Sequence, residues 1–184
     1  MSAFITIPGI DSSGTDHWQS RWEASDLAFA RFQPTTWDAP RLDDWMDALE
    51  RAVAGTPGAV LVAHSLGCLL VAHWANRSES EVAGAFLVSV PNPDAPAFPE
   101  QASTFRGLPD GFLPFPALVI SSSTDPYGSL DYQQSMATRW GAGHIDIGDH
   151  GHINEASSLG AWQQGRDLLT AFAVGLHRTT RHER

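Results

Sequence analysis

Short apolar runs alternate with amphipathic stretches along the whole chain. Six runs read as β-strands: Phe4–Pro8, Ala30–Gln33, Ala59–Ala63, Gly84–Val90, Ala117–Ser122 and His144–Ile147. Helical patterns lie between them, and this alternation predicts a single-domain α/β fold with a mainly parallel sheet and helices on both faces. Ala59-Val60-Leu61-Val62-Ala63 and Ala117-Leu118-Val119-Ile120 are apolar without alternation, as strands covered on both faces must be, so both are placed centrally. Between the second and third strands, Leu42, Trp45, Met46, Leu49 and Val53 share one helical face, with Asp43, Asp44, Asp47 and Glu50 on the other. The Trp and Met stripe reads as core packing. Further helices are expected over His17–Phe29, Leu66–Asn76, Leu130–Trp140 and Leu159–Leu176, with Gly141 and Gly175 near the ends of the last two.

One long stretch, Pro91–Pro116, lacks periodicity and is rich in proline. Loops of that length inside a domain are often functional. Two readings stand side by side. Phe98, Phe105, Phe112 and Phe115 either supply apolar surface to a mobile wall over a binding pocket or anchor the loop to the core.

The third strand runs through Ala63-His64-Ser65-Leu66-Gly67 directly into an apolar helix. A strand, a sharp turn carrying serine and a helix form the context of a nucleophile elbow, which needs small residues two positions before and after the serine. Ala63 and Gly67 satisfy that need. The bland alternative for Ser65 is an ordinary helix N-cap. A serine nucleophile also needs a base and a group that orients the base, and in this architecture they follow in the order Ser, Asp or Glu, His, each after a later strand. Asp125 stands in Ser123-Thr124-Asp125-Pro126-Tyr127 after the fifth strand, and His152 in Gly148-Asp149-His150-Gly151-His152 after the sixth. We therefore assign Ser65, His152 and Asp125 as the catalytic set, with His150 as the competing base. The N–H of Leu66, at a helix N-terminus, is the first oxyanion donor. The second comes from the loop after strand one, Gly9-Ile10-Asp11, from Ile10 or else from Asp11. Asp11, His17, His64 and Phe112 are expected to line the substrate pocket, although His17, like His73, also reads as a packing or surface histidine.

A formal net charge of −10 disfavours nucleic acid and anionic membranes as partners, so neutral substrates fit better, and with the catalytic set above a small ester, or else an amide or peptide, is the expected substrate. Cys68 is the only cysteine, so no internal disulfide is possible. The N-terminal apolar run is too short for a signal peptide and no stretch reads as a membrane span, so a cytoplasmic protein is expected. The domain is expected to occupy residues 1–176, with 177–184 a basic, solvated tail carrying Arg178, Arg181 and Arg184.

Pro8-Gly9 with Ser13-Gly14 and His17-Trp18, His64-Ser65-Leu66-Gly67, Ser123-Thr124-Asp125-Pro126-Tyr127 and Gly151-His152-Ile153-Asn154 together resemble the compact serine hydrolases related to retinoblastoma-binding protein nine. The resemblance spans nearly the whole chain. It implies an α/β-hydrolase-like fold of strand order 2-1-3-4-5-6, a site at the topological switch point, acyl transfer through Ser65, and no cofactor or metal. Two other readings compete. His144, Asp146, Asp149, His150 and His152 could hold zinc in a metal-dependent hydrolase, and the fold could serve binding without catalysis.

Overall fold

In the computed structural model, which describes residues 2–179, the strands β1 (Phe4–Ile7), β2 (Phe29–Arg31), β3 (Val60–His64), β4 (Gly84–Val88), β5 (Ala117–Ser121) and β6 (Gly143–Asp146) form one sheet. Their order is β2-β1-β3-β4-β5-β6 and every neighbouring pair is parallel. Alternation along the central strands feeds two cores. Leu61, Ala63, Ala85, Leu87 and Val119 point to one side; Val60, Val62, Phe86, Val88 and Ile120 point to the other. All ten are buried, which is why these strands read as unbroken apolar runs.

The first core is roofed by α2 (Leu42–Gly55), α3 (Leu66–Ala75) and α4 (Leu130–Trp140), the second by α1 (Trp18–Ser25) and α5 (Gln163–Thr179). The expected Trp45, Leu49 and Val53 stripe of α2 is core, with Trp45 packed edge-on against Phe32, Trp37 and Phe105. Because α1 leaves β1 toward one face and α3 leaves β3 toward the other, the loops at those two adjacent strand ends part. The crevice between them lies where the strand order reverses, the usual place for a ligand in an open α/β sheet.

Several expected boundaries shift. The first helix begins at Trp18, with His17 as its N-cap, and ends at Ser25 rather than Phe29, because Phe29 starts β2. The last helix begins at Gln163 and continues through Thr179, so Gly175 lies inside it and the expected tail at 177 begins within helix. Arg181 and Arg184 lie outside the described residues. Pro91–Pro116 contains a 3-10 helix, Glu100–Phe105. Phe105 is fully buried and its carbonyl accepts a hydrogen bond from His73 Nε2 (3.0 Å). No helix among the described residues is long and apolar enough to cross a membrane.

Candidate active site

One residue, Ser65, separates the end of β3 from the start of α3, and the turn there is abrupt. Its φ of 55° and ψ of −124° are left-handed backbone that a non-glycine residue adopts only under constraint. The constraint is visible. Ser65 N–H donates to Val88 O (3.0 Å), and α3 starts so close to β1 that a Cβ on Gly67 would lie 2.2 Å from Ile7 O. Glycine at 67 is therefore a steric requirement. Ser65 makes no side-chain cap to its own helix; its Oγ lies 2.8 Å from His152 Nε2. The ordinary N-cap reading is thereby excluded.

His152 Nδ1 lies 2.8 Å from Asp125 Oδ1, which completes an unbroken row from carboxylate to hydroxyl. Asp125 has a fully buried side chain and also accepts the Tyr127 N–H (2.9 Å), with Gln133 Nε2 at 3.4 Å from its second oxygen. With Nδ1–H donated to the carboxylate, Nε2 is left to accept the Ser65 proton. The loop bearing His152 is pinned from both sides. His64 Nε2–H donates to the His152 carbonyl (2.9 Å) and Trp18 Nε1–H to the Ile153 carbonyl (2.8 Å). His150 is tied by its backbone, donating to Ser122 Oγ (2.9 Å), and His152 is the histidine brought to Ser65.

Burial lowers the pKa of His17 to about 3, aided by the charge of Arg31, and burial likewise holds His64 well below 6.5. The Gln19 N–H donates to His17 Nδ1 (3.2 Å), so this imidazole is neutral with its proton on Nε2. Burial raises the Cys68 thiol well above its ordinary range, which leaves it unreactive.

The loop after β1 turns tightly beside Ser65. A Cβ on Gly9 would sit 2.9 Å from Ser65 Cβ and 3.4 Å from Leu66 N, so the Gly9–Ile10 peptide runs past the hydroxyl. Ser12 N–H closes the turn on Gly9 O (3.2 Å) and Asp11 N–H donates to Trp37 O (3.0 Å). Asp11 N–H is thus committed to Trp37, while Ile10 and Leu66 both line the cavity over Ser65.

A cavity of about 560 Å³ opens over Ser65. Ile10, Leu66, Pro91, Phe98 and Pro99 form an apolar wall, while Asp11, His17, His64, Asn154 and Glu155 line the rest. Of the expected pocket residues, Phe112 is misplaced. It is 80% exposed and packs beside Gly141 at the end of α4, because Leu113 N–H is bonded to Trp140 O and draws that segment away. Phe105 is core, Phe115 packs near Trp74, and Phe98 alone of the four phenylalanines lines the cavity. Sequence reasoning passed over Tyr127, whose ring stands 4.6 Å from that of His152, and Gln133. The signal for Tyr127 was its place in Asp-Pro-Tyr. Gln133 left none beyond being a polar residue on the inner face of α4.

The histidine and acid cluster near β6 is dispersed: His144 Nε2 pairs with Ser121 Oγ (2.7 Å), Asp149 with Thr124 Oγ1 (2.5 Å), and His152 with Asp125. Among the described residues no group of three or more His, Cys, Asp or Glu side chains is placed to hold a metal ion.

Residues 4–171 match the serine hydrolase family. The chain belongs to that family and is a hydrolase. Among solved structures, the YdeN-like hydrolase of Pectobacterium atrosepticum is 28% identical, with 96% of this chain and 92% of that one covered at a TM-score of 0.85. The ydeN gene product of Bacillus subtilis is 22% identical, with coverage of 95% and 100% and a TM-score of 0.75. A thermophilic esterase from Thermogutta terrifontis shares the fold at 15% identity, coverage of 96% and 91%, and a TM-score of 0.71. No curated protein matches the sequence. The serine hydrolase is thus built on the α/β-hydrolase fold.

Proposed function

We propose that the protein hydrolyses small carboxylic esters by acyl transfer through Ser65, His152 and Asp125. The observation that carries this reading is the continuous row Asp125–His152–Ser65, with both links at 2.8 Å, opening into a largely apolar cavity. In this reading Ser65 Oγ attacks the ester carbonyl carbon while His152 Nε2 takes its proton and Asp125 stabilises the resulting imidazolium. The Leu66 and Ile10 N–H groups hold the developing oxyanion. Collapse expels the alcohol, which recovers the proton from His152, and a water molecule repeats the sequence to release the acid. The apolar wall receives the acyl chain. Fold neighbours described as a thermophilic esterase and as the carboxylesterase CesB of Bacillus subtilis support an ester as substrate. The motif resemblance to the branch related to retinoblastoma-binding protein nine supports the same assignment. The lone, buried Cys68 is in keeping with a reducing cytoplasmic setting.

The test is labelling by a fluorophosphonate probe, which requires an activated serine. The wild-type protein should label and Ser65→Ala should not, with ester hydrolysis falling by roughly 10,000-fold or more in a folded protein. Labelling that persists at another serine would refute the assignment.

A further inference from the structure

Arg31 lies outside the row of reacting groups, on edge strand β2, yet its guanidinium is fully engaged beside the site. Nε donates to Glu23 Oε1 (3.0 Å), and Nη1 donates to Ser12 Oγ (2.8 Å) and the Ser13 carbonyl (3.1 Å). Nη2 donates to Ser20 Oγ (2.7 Å) and lies 2.9 Å from Glu23 Oε2. A guanidinium has five N–H donors, and these five contacts use its whole fork. The Arg31 side chain is only 17% exposed. Its carboxylate partner is held in turn by Thr6, which pairs with Arg31 across β1 and β2. Arg31 therefore ties β1, the loop after it and α1 into one unit.

The loop it grips is strained. Asp11 and Ser12 are consecutive non-glycine residues with φ of 61° and 64°. Such conformations persist where surrounding structure over-determines them, and they gather at functional sites. Relaxing either residue to negative φ would rotate the Ile10 peptide that passes beside Ser65. Neutral ties also hold the loop: Asp11 N–H to Trp37 O, Ser12 N–H to Gly9 O, Ser13 Oγ to Gln19 Oε1 and Ser20 Oγ to the Ser13 carbonyl. The charged hold, and the one on the Ser12 side chain, comes from Arg31.

We propose that Arg31 is a positioning residue that keeps the Gly9–Ser13 loop in its strained form and so aims the Ile10 N–H at the developing oxyanion. This rests on the catalytic reading of Ser65. Because the oxyanion forms only on the way to the tetrahedral intermediate, the contribution is felt in kcat and in binding of tetrahedral adducts, and little in ground-state binding. Lysine cannot substitute, since its three donors radiate from one nitrogen and cannot span Ser12, Ser13, Ser20 and Glu23.

The experiment compares wild type, Arg31→Lys, Arg31→Met and Ser12→Ala by kcat and KM on a p-nitrophenyl ester. It adds the affinity of a trifluoromethyl ketone that forms a tetrahedral adduct, and thermal melting. Arg31→Met and Arg31→Lys should lose on the order of 10- to 100-fold in kcat and a matching factor in ketone affinity, with KM changed by less than about threefold. The pH profile should keep its shape, since Asp125 and His152 are untouched. Should Arg31→Met fail to fold, Arg31→Lys and Ser12→Ala carry the comparison, and Ser12→Ala should show the same signature more weakly. Folded variants with kcat and ketone affinity both near wild type would overturn the proposal. So would a loss confined to KM or to melting temperature. An unlabelled, inactive wild-type protein would instead remove the reading of Ser65, and with it this inference.

Discussion

Ser65 holds a backbone conformation that costs free energy, and the residues around it show what the strain achieves: the hydroxyl stands clear of its helix and reaches His152 Nε2. The neighbouring imidazoles are specialised by their surroundings. His152 is hydrogen-bonded at both ring nitrogens, whereas His17 and His64 are buried and neutral and serve the scaffold. Asp125→Asn should lower kcat roughly 1,000- to 10,000-fold by disturbing the productive tautomer, and His152→Ala should be at least as damaging. His150→Ala should be mild; an inactive but folded His150→Ala protein beside an active His152→Ala protein would reverse the assignment. The buried pair also makes a thermodynamic prediction. Unfolded His17 and His64 titrate near 6.5, while folded His17 resists protonation down to about 3. Below 6.5 the unfolded chain thus binds more protons than the folded one. Stability is full above that pH and is lost as the pH falls toward about 3, by up to about 1.4 kcal/mol per pH unit per histidine. Chemical denaturation between pH 7.5 and 4.5 should show this slope. His17→Asn, which keeps a side-chain acceptor for Gln19 N–H, should flatten it; an unchanged slope would count against this account.

At the scale of elements, the elbow works because β1, β3 and α3 approach more closely than side chains allow, with Gly67 against Ile7 O and Gly9 against Ser65. Gly67→Ala must push α3 away from β1, so it should cost about 1–3 kcal/mol in denaturation and slow fluorophosphonate labelling of the molecules that remain folded. Labelling at the wild-type rate would show that the turn tolerates a wider spacing. The segment from Pro91 to Pro116 gives a second test. Phe98→Ala should change acyl-chain preference, because Phe98 lines the cavity, while Phe112→Ala should leave preference alone. These cases also mark what the sequence reveals. The elbow was legible because its chemistry forces small residues at fixed offsets, and the Ser, Asp and His order was legible because each follows a strand that apolar runs define. Phe112 was misread because an aromatic in an aperiodic loop has no pattern that fixes its direction. Only the Leu113 N–H bond to the end of α4 decides it. Arg31 was invisible for a related reason: its partners come from β1, the following loop and α1, and no local spacing announces a contact of that kind.

For the molecule as a whole, under the proposed ester hydrolysis, charge and site geometry combine to set which esters would be taken. The chain carries a formal net charge of −10, and the mouth of the cavity repeats that sign locally, with Asp11 and Glu155 as the charged side chains among its lining residues. A substrate thus approaches through a field that favours cations and opposes anions. Two origins of that field predict different experiments. If the diffuse charge of the surface dominates, any acidic residue matters about equally, and neutralising Asp47 on the exposed side of α2 should do as much as neutralising Asp11. If the mouth dominates, distance decides, because charges more than a Debye length away, about 8 Å at 0.15 M ionic strength, are largely screened. Physiological salt therefore favours the mouth. With one acyl chain held constant, an ester of a cationic alcohol should exceed one of an anionic alcohol in kcat/KM by on the order of tenfold. The ratio should widen at low salt and shrink in Asp11→Asn and Glu155→Gln, while Asp47→Asn leaves it unchanged at 0.15 M. A ratio that ignores both salt and the two mouth substitutions would show that selectivity is set by shape alone.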